Sequence, residues 1–195
     1  SPVPYGPGTR YQVRRISLPY AVTFACFFQR GERLCIMGNN ELYFRNEPLK
    51  HRSDKLCYPA LLNVSKIKTP KRTRAWICTQ YLRADPAQDW TSQLGTLLDH
   101  TFNGAYNLSS EHHEGASFYG ESRGIHPDLH PIERWEQASR KNDAFALGVP
   151  WLPCPLSAGE IIEAMLDECA GGVASQALRL AAAKKPQGLV SRFVS

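Results

Sequence analysis

Ala60 to Leu82, ALLNVSKIKTPKRTRAWICTQYL, is the stretch on which the fold class turns. Its two outer runs, ALLNVSKI and RAWICTQYL, are rich in β-branched and aromatic residues, which pack well on a pleated surface. Thr69-Pro70-Lys71 between them is turn chemistry, so the spacing predicts an antiparallel hairpin. Its tip carries five cations, Lys66, Lys68, Lys71, Arg72 and Arg74, a candidate surface for phosphates or an acidic partner.

Working back towards residue 10, the runs YQVRRISL (11–18), YAVTFACFF (20–28), RLCIMG (33–38) and ELYFRN (41–46) have the same character. They are separated by Arg-Gly and Gly-Asn-Asn turns, so an antiparallel sheet of four to six strands is expected. A hairpin turning at Arg30-Gly31 would set Cys26 opposite Cys35.

Beyond residue 84 the period changes, and three to four helices are expected. Asp85-Pro86-Ala87-Gln88 has the form of a capped helix start, followed by Trp90, Leu94, Leu97 and Leu98 on one face. PIERWEQASRK (131–141) carries Ile132, Trp135 and Ala138 at helical spacing. DAFALGVPW (143–151) has the apolar character of a buried strand. Ser157 and Glu160 form a capping box ahead of an apolar stripe that ends at Gly171-Gly172, and a last helix is expected over 173–185. The fold class is therefore α+β, in one domain spanning 1–195. It comprises an extended segment (1–9), a basic β-rich part (10–83) and a mainly helical part (84–195).

The chain has 195 residues, 43% of them hydrophobic, enough for a core of its own. No run of 18 apolar residues occurs, so no membrane partner is expected. The start Ser-Pro-Val-Pro, without methionine, fits an excised or processed domain, of effector or toxin type. The net charge of +5 is unevenly divided, with 15 Lys and Arg against 4 Asp and Glu in 1–83 but 8 against 14 in 84–195. A basic β-rich half points to nucleic acid, a nucleotide or an acidic protein as partner. G-x-x-x-x-G-K-[ST], G-x-G-x-x-G and G-x-S-x-G are all absent, which disfavours P-loop enzymes, Rossmann dehydrogenases and α/β-hydrolases.

Four of the six histidines and four glutamates fall in SSEHHEGASFYGESRGIHPDLHPIE (109–133). Histidine titrates near neutrality and binds metals, so His113, Glu114, His126 and His130 are candidate proton-transfer residues. His112-His113-Glu114, followed by a strand and then Pro153-Cys154 ahead of a capped helix, resembles the zinc-dependent nucleobase deaminase superfamily. Ser157 stands where that family has its second cysteine. The resemblance implies zinc held by His112 and Cys154, Glu114 as proton shuttle, and a nucleobase or nucleotide substrate. Three other readings stand beside it. His112-His113 with His126 and His130 also resembles the ligand and base order of ββα-metal nucleases. Cys26, Cys57, Cys78 or Cys154 paired with a histidine base would make a thiol protease or deamidase. A non-catalytic module binding through its basic sheet needs none of them.

Overall fold

The computed structural model describes residues 14–79, 82, 84–104 and 118–183, the side chains of 172–183 excepted. The fold is α+β, as expected. Among the described residues eight strands form: β1 (Tyr20–Phe24), β2 (Phe27–Arg30), β3 (Arg33–Ile36), β4 (Glu41–Arg45), β5 (Lys55–Cys57), β6 (Val64–Lys68), β7 (Thr73–Ile77) and β8 (Pro153–Ser157). The helices are α1 (Trp90–Asn103), α2 (Ser122–Ile125), α3 (Ile132–Lys141) and α4 (Ala158–Ala183).

The hairpin read from the sequence forms, with Val64 opposite Ile77 and Lys68 opposite Thr73. The main sheet is antiparallel and six-stranded, and β4 is its branch point. One edge of β4 pairs along its whole length with β1, from Tyr20 opposite Arg45 to Phe24 opposite Glu41. Its other edge is shared by β7, at Glu41 opposite Trp76, and β5, at Phe44 opposite Cys57. β6 continues beyond β7, and β8 beyond β5. β2 and β3 form a separate ribbon whose two-residue turn places Gly31 at φ +63°, a conformation that glycine adopts without steric penalty.

Four consecutive residues of β4, Glu41 to Phe44, are fully buried, so both faces of this strand are covered. On the Phe44 side, Trp151 meets the Phe44 ring edge-on at 4.9 Å, and Trp135 of α3 lies 5.6 Å from Trp151. On the Tyr43 side lie Tyr58 and, stacked on it at 4.5 Å, Phe118. Alternation along a strand sends successive side chains to opposite faces, and β4 uses both.

Several boundaries differ from expectation. α1 starts at Trp90 because Asp89, not Asp85, accepts from the Ser92 amide (3.0 Å); Asp85 instead closes a local turn onto Ala87. In the expected first strand (11–18), described from residue 14, the chain is bound to α3. There the Ser17 amide donates to Ser139 Oγ (2.9 Å) and Trp135 Nε1 donates to the Ser17 carbonyl (3.1 Å). The expected strand at 143–151 is a single 3₁₀ turn, Phe145–Gly148, led by Asn142, whose side chain accepts from the Ala144 amide. The strand comes one step later, as β8. The two helices expected from 158 onward are one, α4, running through Gly171-Gly172 to Ala183.

Cys35 lies opposite Phe28, and the carbonyl of Cys26 accepts from Met37, so the expected Cys26–Cys35 juxtaposition does not occur. All six cysteines are free.

Candidate functional site

The segment between α2 and α3 carries both described histidines of the 109–133 stretch. His126 ends α2, and proline at 127 starts a 3₁₀ turn, Pro127–Leu129, where its missing amide is harmless. His126 Nδ1 accepts from the Asp128 amide (3.2 Å), which leaves Nε2 as the protonated nitrogen of the neutral ring. The ring stands edge-on to Phe145 at 5.3 Å. His130 follows the turn, half-buried, its Nδ1 3.4 Å from the Tyr119 hydroxyl and its ring edge-on to Tyr119. Burial, helped by Arg123 and opposed by Glu133, holds its pKa below the usual histidine range, so His130 is neutral at pH 7 and able to accept a proton. Burial pushes the Tyr119 phenol up to about 12, so that hydroxyl stays protonated.

Beside this segment lies a concavity of about 430 Å³, lined by Asp128, Arg134, Gln137, Ala138, Lys141, Asn142 and Phe145. Four of these seven residues project from α3, where positions 134, 137, 138 and 141 recur at helical spacing on one face. Arg134 and Lys141 are exposed, and neither forms an ion pair with the described residues. The next cation along, Arg140, is held by Glu136 at 3.0 Å. The concavity therefore joins two cations without an ion pair among the described residues, two amides, a carboxylate and an aromatic ring in edge contact with His126.

No family model matches the chain, and neither does any curated protein or solved structure.

His112, His113 and Glu114, on which the deaminase resemblance rests, lie outside the described residues. Cys154 does not. It sits in β8 with its side chain in the core, 3% exposed, and burial raises its thiol pKa. Ser157 and Glu160 are occupied in capping α4: the Ser157 amide donates to Glu160 Oε2 (2.7 Å), and the Glu160 amide to Ser157 Oγ (3.4 Å). Among the described residues no group of three or more His, Cys, Asp and Glu is placed to hold a metal.

The five cations of the β6–β7 hairpin also divide. Lys66 pairs with Glu121 and lies 5.5 Å from the centre of the Phe118 ring. Arg72 is buried and grips Glu41 with two bonds of 2.7 Å, while also donating to Glu168 at 3.0 Å. Arg74 donates to Glu41 at 2.8 Å and to Asn39. Only Lys68 and Lys71 of the five are exposed. Three of the expected phosphate contacts are thus in ion pairs within the chain: Arg72 and Arg74 join the hairpin to β4 and α4, and Lys66 joins it to the turn at Phe118–Glu121.

The sequence did not single out Arg134 and Lys141. Their signal was the helical spacing of PIERWEQASRK: with Ile132 and Trp135 buried, 134, 137, 138 and 141 share another face. The Glu41–Arg72–Arg74 cluster had a signal too. Glu41 and Tyr43, and Arg72 and Arg74, each stand two apart, the period of one sheet face, so Arg74 of β7 and Arg72 just before it reach the same carboxylate in β4.

Proposed function

We propose that the chain is a hydrolase acting on single-stranded nucleic acid or a nucleotide, with its ligand in the concavity beside α3. Arg134 and Lys141 hold phosphate, Phe145 gives a face on which an unstacked base rests, and Gln137 and Asn142 offer donors and acceptors to the base edge. His130, neutral at pH 7, takes the proton from the attacking oxygen. His126 donates a hydrogen bond from its Nε2–H to the leaving oxygen, which takes its proton from water as the phosphorus–oxygen bond breaks. The observation that carries the reading is the convergence on one cavity of two cations that have no ion pair among the described residues, with His126 in edge contact with the Phe145 of its wall. The net charge of +5 adds long-range attraction for the same ligands.

The test is binding and cleavage of fluorescein-labelled single-stranded RNA and DNA 12-mers, with divalent metal and with chelator. Binding should weaken as salt rises, and the double variant Arg134→Ala/Lys141→Ala should weaken it at least tenfold. His130→Ala should bind normally and abolish cleavage. Binding untouched by the double variant sinks the site; oligonucleotides that bind wild type and stay intact sink the hydrolase.

One observation favours a second reading, a non-catalytic interaction module. The β2–β3 ribbon and the start of α1 expose Phe28 (43%), Leu34 (44%) and Trp90 (50%), with Arg30 and Arg33 at the ribbon's tip. Exposed apolar side chains beside cations suit an acidic partner surface. Loss of partner capture on Phe28→Ser/Trp90→Ser, with oligonucleotide binding intact, separates this reading from the first.

A further inference from the structure

Cys26 and Cys169 are far apart in the chain and adjacent in space. Cys26 lies in the corner between β1 and β2, where its amide donates to Asn40 Oδ1 (3.0 Å). Cys169 projects from α4, and its sulfur stands 3.7 Å from Cys26 Sγ. Asn39 Nδ2 also approaches Cys169 Sγ at 3.7 Å, so the helical sulfur is held on the sheet side of α4. Both cysteines are half-buried, so neither is sealed from small reagents.

We propose that Cys26 and Cys169 form a reversible intramolecular disulfide, a redox staple that fixes α4 to the sheet. Bonding requires the sulfurs to close by roughly 1.7 Å, within the reach of side-chain rotation, to the usual S–S length of about 2.05 Å. The oxidant is a low-molecular-weight disulfide of the glutathione class. The Cys169 thiolate attacks one sulfur of the reagent, whose S–S bond breaks and releases one small thiol. Cys26, having lost its proton, then attacks the Cys169 sulfur of the mixed disulfide and displaces the second small thiol. Two protein thiols are oxidised by two electrons in total, and the reagent is reduced to two thiols.

The order of attack follows from the surroundings. Burial, together with the hydrogen bond and charge of Cys169, pushes the Cys26 thiol up to about 12, with Glu41 adding to the effect and Arg74 opposing it. Once Cys169 is in the mixed disulfide its part of that shift is removed, and Cys26 becomes easier to ionise. Glu168, the residue before Cys169, donates nothing but accepts from Arg72 at 3.0 Å, so the staple sits beside the ion pairs that already hold α4. The other four cysteines serve as internal controls. Cys35 and Cys154 are buried, and no hydrogen bond between sulfurs joins any pair but Cys26 and Cys169 among the described residues.

The experiment treats the native chain with oxidised glutathione at pH 7.5, alkylates the remaining thiols, and maps the products by mass spectrometry without reduction. The expected product is lighter by two hydrogens, contains a peptide linking Cys26 to Cys169, and has four alkylated cysteines. Because the closed loop spans 143 positions, the oxidised chain should melt roughly 10 °C above the reduced one, and dithiothreitol should reverse both changes. Cys169→Ser should lose the link and the shift, and Cys35→Ser should keep them. If Cys169→Ser does not fold, the wild-type peptide map still decides. Glutathione adducts without the cross-link, a link through another cysteine, or an unchanged melting temperature overturns the proposal.

Discussion

Replacing Glu41 with glutamine tests whether the ion cluster holds the sheet to α4. Glu41 is fully buried and accepts four bonds: two from Arg72 and one from Tyr43, each 2.7 Å, and one from Arg74 at 2.8 Å. The Arg72 side chain is 4% exposed, so it has almost no water to fall back on. Glutamine keeps one acceptor and turns an NH₂ group towards a guanidinium, which leaves a buried cation short of its countercharge. Breaking one side of a buried pair costs about 3–5 kcal/mol. For a chain of this length that is a melting temperature lower by roughly 6–20 °C, measurable by calorimetry and by urea titration.

Acid gives an independent check on the same variant. Burial alone would raise the Glu41 pKa, but the bonds from Arg72, Tyr43 and Arg74 outweigh it and hold the carboxyl below its ordinary value. A depressed carboxylate contributes stability above the unfolded value of about 4.3, and that contribution is lost as pH falls through the folded value. The difference between wild type and Glu41→Gln should therefore be constant from pH 7 to 5 and shrink below about pH 4.3. A loss under about 1 kcal/mol at pH 7, or a difference that ignores acid, refutes the cluster as the clamp.

Trp135 is fully buried and anchors both Ser17 and Trp151, so Trp135→Ala should cost about 3–5 kcal/mol in urea unfolding and free the segment at 14–19 to amide exchange. His130 should titrate below the ordinary histidine value in NMR, and Arg123→Ala should move its midpoint up by removing one of the charges that depress it. Because the folded pKa is the lower one, His130 withdraws stability as pH falls below about 6.5, and His130→Gln should flatten that part of the stability curve. Ser157→Ala removes the acceptor for the Glu160 amide and should lower stability by about 1 kcal/mol, with helical content otherwise kept.

The sheet's centre was legible because ELYFRN and the two runs of the 60–82 hairpin are dense in strand formers and bounded by turn residues. β5 was not, since Lys55–Cys57 is too short to show alternation. β8 was hidden by Pro153 and Pro155, residues that argue against a strand. β8 is an edge strand, the place in a sheet where proline is tolerated, and Cys154 between the two prolines is buried. DAFALGVPW was apolar enough for a strand, but the Asn142 side chain bonds the Ala144 amide and diverts the chain into a turn. Asp85 was read as the cap of the first helix, whereas Asp89, followed by Thr91 and Ser92, which both bond its carboxylate, is the one used.

Of the candidate site, half the residues were named from the sequence. His126 and His130 stood out by composition, whereas Arg134 and Lys141 are ordinary surface cations until α3 is oriented by the burial of Trp135. The five-cation tip read as one surface because sequence carries no record of countercharges 31 to 96 positions away.

The pairing of β5 with β8 governs the order in which this chain is completed during synthesis. Lys55 Nζ bonds the carbonyl of Pro155, 100 positions later. At ribosomal speeds β5 waits roughly 5–20 s for its neighbour to emerge. Throughout that interval the nascent sheet presents an open hydrogen-bonding edge to any passing strand. A three-residue edge led by a lysine is a poor template for such a stranger, and the late arrival of residues 153–157 makes this wing of the sheet the last to close.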